Sequence, residues 1–254
     1  MSAENSNGFI EIQIEDTIAT IIFSHPASNS FPSELLQKLT DELNKISTNS
    51  EVNVVILQSE GTTFCAGASF DELLSITDFE TGKIFFSGFA NVINAMRKCS
   101  KIIVGKVQGK AVGGGVGLIA ACDFAFAYQD AAIKLSEIAI GIGPFVIEPA
   151  VSRKIGKIAM SEMTLQPNIW QSADWAKEKG LYADIFDSQN EVTEATIKLA
   201  KKLASYNPEA LAEMKKVFWQ GTENWDELLH ERAAMSGKLV LSDFTKEALS
   251  KFKK

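Results

Sequence analysis

Gly113-Gly114-Gly115-Val116-Gly117-Leu118 stands between two apolar runs, Ile102–Val107 and Phe124–Tyr128. A second loop of small residues, Phe64-Cys65-Ala66-Gly67-Ala68-Ser69-Phe70, follows a third such run, Val52–Leu57. The runs read as buried strands, and the glycine-rich turn leading into Val116–Ala121 reads as a helix start. Small residues let a ligand come up against the main chain, and a helix N-terminus offers N–H groups and the positive end of a dipole. Each loop follows a strand, where α/β sheets place their ligands.

Outward from these loops, strands and helices alternate. Phe9–Ile14 and Ile18–Phe23 read as a hairpin turning at Glu15-Asp16-Thr17. Leu36, Leu39, Leu43 and Ile46 recur at helical spacing, as do Ile84, Phe85, Phe89, Val92, Ile93 and Met96 within Thr81–Lys98. Ile133–Leu135 reads as another short strand. Beyond Pro149 the pattern turns helical, over Pro149–Ile155, Ile158–Leu165, Ala173–Lys179, Glu191–Ser205, Pro208–Trp219, Asn224–Gly237 and Asp243–Phe252, with Ala183–Phe186 the one strand among them. Alternation of this kind predicts βα crossovers and a largely parallel sheet.

The 254 residues, 46% hydrophobic and 22% charged, suffice for a substantial core, and the net charge of −7 argues against a broad nucleic-acid surface. Nowhere do about 18 apolar residues run together, so no membrane span is expected. Met1–Gly8 lacks the basic start and apolar run of a secretory signal. Cys65, Cys99 and Cys122 lack zinc-site spacing, so no metal is expected, and buried reduced thiols in a cytoplasmic protein are the reading. His25 and His230 have no evident metal or nucleophile partner.

The two loops, their order, and Ser136-Glu137, Gly141 and Pro144 downstream together resemble the crotonase (enoyl-CoA hydratase/isomerase) family. The resemblance runs from about Phe9 to Lys254 and takes in the helix ending Lys179-Gly180-Leu181. It implies an α/β fold with a crotonase-like ββα spiral core over 1–188 and a C-terminal helical oligomerisation region over 189–254. It further implies that the N–H groups of Ala68 and Gly114 form an oxyanion hole for a thioester. Such donors act where charge develops in the transition state, each being worth about 2.7–4 kcal/mol.

The same resemblance makes Glu137 the proton-transfer group, and its apolar neighbours Leu135, Ile138 and Ile140 would raise its pKa by burial. Family hydratases pair this carboxylate with a second one, at a position that is Gly117 here. Reversible hydration of an enoyl-CoA remains the expected reaction, with a likeness to the methylglutaconyl-CoA hydratase branch of leucine degradation. Double-bond isomerisation by Glu137 alone and noncatalytic binding of a CoA ester are the alternatives. Glu148 and Asp71 are candidates for a substitute second carboxylate, and Phe145 replaces the family's glycine after the proline.

By the same carry-over Ala27, Ala66, Gly67, Gly113 and Pro144 contact an acyl-CoA, whose coenzyme A belongs to the substrate, so no separate cofactor is implied. The His25–Asn29 turn lacks the usual basic residues, leaving Lys251, Lys253 and Lys254 as candidates for phosphate contacts. A homotrimer or dimer of trimers is expected, with Trp170, Trp175, Trp219, Trp225 and Phe218 mostly in the core. Two rival readings fail on spacing. Gly115-x-Gly117-x-x-Ala120 fits a dinucleotide fingerprint, but Gln108–Gly114 separates it from its strand, and neither Gly105-Lys106 nor Gly109-Lys110 completes a Walker sequence.

Overall fold

The computed structural model describes residues 7–251, so the end of the expected Asp243–Phe252 helix and the lysines at 253 and 254 lie outside the described residues. The chain opens with strands β1 (Phe9–Glu15) and β2 (Ile18–Ser24), an antiparallel hairpin. Its two-residue turn has Asp16 at φ 49° and Thr17 at φ 64°, the positive-φ pair of a type I′ turn. Helix α1 (Ser33–Thr48) buries Leu36, Leu39, Leu43 and Ile46 and leads into β3 (Val54–Ser59). After the short β4 (Thr63–Cys65) and α2 (Phe70–Ser75) comes α3 (Phe79–Lys98), capped by the Asp78 side chain and closed by Arg97 and Lys98.

A second round follows, with β5 (Ile102–Val107), β6 (Lys110–Val112), α4 (Gly114–Ala121), β7 (Phe124–Tyr128) and β8 (Ala132–Lys134), then a 3-10 turn at Glu137–Ile140. Helix α5 (Glu148–Leu165) is broken at Gly156, which sits at φ 78°, so the two helices expected there meet at a kink. Then come β9 (Gln171–Ser172), α6 (Ala173–Glu178), β10 (Asp184–Phe186) and the helices α7 (Gln189–Ala204), α8 (Pro208–Phe218), α9 (Trp225–Leu239) and α10 (Asp243–Ser250).

The strands form two sheets. The larger runs β1-β2-β3-β5-β7-β10 and is parallel beyond the hairpin, whereas the smaller runs β4-β6-β8-β9. Strand alternation divides the apolar residues of the larger sheet between two faces. Ile21, Phe23, Val55, Leu57 and Ile103 pack with α1 and α3 in the main core, while Val54, Ile56, Ile102 and Val104 pack against Ala200, Leu203 and Leu211 of α7 and α8. Sequence reading finds only β8 of the smaller sheet, as Ile133–Leu135, and misses its partners: β4 and β6 have three residues and β9 two, too few to display a period. This sheet carries both loops of interest, which leave the ends of β4 and β6 rather than β3 and β5.

Most of the aromatic residues expected in the core are there, Trp175 packing against it half-buried. Trp219 and Trp225 are buried and meet edge to face, but Trp170 and Phe218 are exposed.

Candidate active site

The first loop is held by residues 28–33. Ala66 N–H donates to the Ser28 carbonyl at 3.1 Å, Phe31 N–H to Gly67 O at 2.8 Å, and Ser69 N–H to Phe31 O at 3.0 Å. The last two bonds make an isolated parallel bridge between Phe31 and Ala68, so the N–H and C=O of Ala68 itself turn away from Phe31. Glu72 fastens the far end, its carboxylate accepting from Ser33 N–H (3.0 and 3.1 Å) and Ser33 Oγ (2.6 Å). Sequence reasoning missed Glu72, because nothing local links residues 33 and 72.

The second loop is pinned by Gly113 N–H donating to the Lys134 carbonyl at 3.0 Å, while Gly113 O accepts from Val116 and Gly117 at the start of α4. Gly114 is the first residue of that helix, so its N–H has no acceptor in the turn before it. A Cβ on Gly114 would lie 2.3 Å from the Phe89 ring, and one on Gly67 only 3.6 Å from Gly114 N. The loops therefore meet backbone to backbone.

Both open on one cavity of about 390 Å³, lined largely by apolar side chains, a size and character suited to a small organic ligand. Ala66, Gly67, Ala68, Gly113, Gly114, Glu137 and Pro144 all line it; Ala27 does not, and lies in the turn beside Ser28. Phe145 is in the wall, where its ring takes up room that a smaller residue would leave open.

The Glu137 carboxylate sits against Gly113: a Cβ there would come within 2.5 Å of Oε1, and Gly113 has φ 53° and ψ −117°, a conformation suited to glycine. Although the residue as a whole is only half-buried, Oε2 is out of solvent and has no hydrogen-bond partner. Burial pushes its pKa up to about 7, and the backbone N–H groups of Glu137 and Ser136 pull it back only in part. The carboxyl is thus poised to hold or release a proton near neutrality. Burial drives the Cys65 thiol up to about 12, which makes that thiol a poor nucleophile within the first loop.

Neither candidate for a second carboxylate lines the cavity. Glu148 is outside the lining, accepting a hydrogen bond from Ser152 Oγ (2.7 Å) and facing Arg232 at 4.0 Å, and Asp71 is an exposed residue in the first turn of α2. Position 117 has no room for a carboxylate as the chain is packed, since a Cβ there would lie 2.5 Å from Ile147 Cγ2. Of the remaining sequence candidates, Lys251 is paired with Glu247 at 3.5 Å, and His25 and His230 contact Ser30 and Ser87.

The α/β core thus brings two glycine-bearing loops and the Glu137 carboxylate together at one cavity. The chain belongs to the enoyl-CoA hydratase/isomerase family, whose profile matches residues 13–254. It is similar to a Bacillus subtilis (strain 168) protein named probable enoyl-CoA hydratase, with 26% identity over 96% of this chain and 95% of the relative. It is also similar to the peroxisomal Delta(3,5)-Delta(2,4)-dienoyl-CoA isomerase of Arabidopsis thaliana, with 24% identity over 93% and 90% of the two chains. The crystal structure of enoyl-CoA hydratase from Bacillus halodurans shares the fold, with a TM-score of 0.88 at 20% identity over 95% of this chain and 99% of that one.

Proposed function

We propose that this chain catalyses reversible hydration of an enoyl-CoA through a thioester enolate. The thioester oxygen would accept from Ala68 and Gly114 N–H, and Glu137 would be the sole acid/base. The observation that carries this reading is the Glu137 carboxylate, its Oε2 buried without a partner, held against Gly113 beside both loops. In the hydration direction, ionised Glu137 takes a proton from water as the oxygen bonds to Cβ. The double-bond electrons move to the thioester oxygen, and protonated Glu137 then returns the proton to Cα. One carboxyl shuttling one proton closes the balance. Main-chain donors stabilise the enolate without reorganising when charge appears.

A second reading is favoured by Ile147, which fills the space beside Gly117. Without a second carboxylate to orient water, Glu137 would remove a proton from one carbon and return it to another, shifting a double bond. We take 3-methylglutaconyl-CoA as the first substrate to try and, from the sequence resemblance, a cytoplasmic homotrimer or dimer of trimers as the assembly. Exposed Val217, Phe218, Leu239 and Phe244 on the C-terminal helices supply apolar surface for such contacts.

Incubation with 2-enoyl-, 3-enoyl- and 3-hydroxyacyl-CoA esters, followed by mass spectrometry and chromatography, separates the readings. Gain or loss of one water supports hydration. A positional isomer of unchanged mass supports isomerisation, and no turnover of any ester by a folded protein that still binds them leaves a CoA-ester binder.

A further inference from the structure

Among the described residues, Lys134 and Glu137 are the two charged ones in the cavity wall. Lys134 ends β8, where it pairs with Val112, and Ala111 pairs with buried Ile133, so Lys110 and Lys134 share the opposite face of the small sheet. Gln171 of β9 pairs with Ile133, which sets Trp170, one residue earlier, beside Lys134. The side chains meet accordingly: Lys134 Nζ lies 4.5 Å, and Lys110 Nζ 5.0 Å, from the centre of the Trp170 ring. Neither lysine forms an ion pair among the described residues, and Trp170 stays 39% exposed. Lys134, from the wall of the apolar cavity, and Lys110, from the neighbouring cleft, are thus gathered on one aromatic ring, which attracts an ammonium through its face.

We propose that Lys134, steadied on Trp170 and backed by Lys110, selects acyl groups that carry a carboxylate. This rests on the reading of the cavity as an enoyl-CoA site. A carboxylate entering such a wall loses water and needs a charged donor in return; Lys134 supplies one without neutralising Glu137. Its position indicates which anion it meets. The Lys134 carbonyl accepts the Gly113 N–H at 3.0 Å, so this lysine is rooted beside the oxyanion loop, whereas the phosphates of coenzyme A lie a whole pantetheine arm away from the thioester.

The test is calorimetric binding of glutaryl-CoA and butyryl-CoA to the full chain. These esters carry the same phosphates, have no double bond to hydrate, and differ by one terminal carboxylate. Wild type is expected to prefer glutaryl-CoA. Lys134→Met should weaken glutaryl-CoA by about tenfold or more, a charged hydrogen bond being worth ~1.5–3 kcal/mol, and leave butyryl-CoA within about twofold. Lys134→Arg should keep most of the preference, and Lys110→Met should lose a smaller part of it. Lys134→Gln serves if the methionine variant does not fold. Equal losses on both esters would assign Lys134 to the phosphates, and unchanged glutaryl-CoA affinity would make the lysine–tryptophan stack structural only; either overturns the proposal. Failure of wild type to bind either ester overturns the enoyl-CoA reading itself.

Discussion

Asp123 and Glu137 are two carboxylates withdrawn from water, and the protein surrounds them in opposite ways. Asp123, its side chain 6% exposed, receives Ile103 N–H at 2.8 Å, Lys215 Nζ at 2.8 Å and Trp219 Nε1 at 2.9 Å. It ties α8 and the residue after it to the large sheet. Lys215, itself 2% exposed, also donates to the Lys101 carbonyl. Glu137 lies in a largely apolar wall, bonded by backbone N–H groups of its own turn but with Oε2 left without a partner. A buried charge that is fully bonded serves as a clasp, whereas one with an oxygen left unbonded near neutrality is free to exchange a proton.

Substitutions that break this contrast should separate activity from stability. Glu137→Gln is expected to lower kcat by about 10²–10⁴, the usual share of a general acid/base, while acyl-CoA affinity changes little. It should also alter stability with a definite sign. Because the folded carboxyl titrates at about 7 rather than its ordinary 4.5, the folded state holds more protons between those values, and wild-type stability falls as pH rises across that window. The glutamine variant lacks that loss and should gain on the order of 1–3 kcal/mol over wild type at pH 8, with little gain near pH 4, by denaturant titration. The wild-type kcat/KM should climb toward a plateau above about pH 7 if ionised Glu137 is the base.

Lys215→Ala, on the other side of the comparison, leaves Asp123 buried without its cation and should cost about 3–5 kcal/mol of unfolding free energy. Turnover per folded molecule should be unchanged. Gly113→Ala drives a methyl into the Glu137 carboxylate and forbids the Gly113 backbone conformation. A loss of about 10²–10³ in kcat is expected, comparable with removal of one oxyanion donor. The smallest effect belongs to Glu148→Gln. With its carboxylate turned to Ser152 and Arg232, activity should stay within about twofold and stability within about 0.5 kcal/mol.

The part of the site that could be read in the sequence is the part where crowding imposes residue type. Gly113, Gly114 and Gly115 stand together because a side chain on them would strike Glu137, Phe89 and the Cys65 carbonyl respectively. The large sheet was equally plain, since β3 and β5 are buried runs of branched residues. The small sheet left no periodic trace, and features made by pairing distant residues were silent in one dimension. Ile147 filling the space beside Gly117, Glu72 bonding Ser33, and Trp170 gathering Lys110 and Lys134 all depend on how the chain returns on itself. Glu148 shows the same limit: proximity to Pro144 in sequence does not reveal that the first turn of α5 points its carboxylate at Ser152.

The most direct trial of the account is a crystal structure of the Glu137→Gln protein with bound butyryl-CoA. The thioester oxygen should lie about 2.7–3.1 Å from both the Ala68 and Gly114 nitrogens, with the side chain at 137 beside the carbon next to the thioester. A thioester seated elsewhere in the cavity, or an oxygen bonded to neither amide, would contradict it.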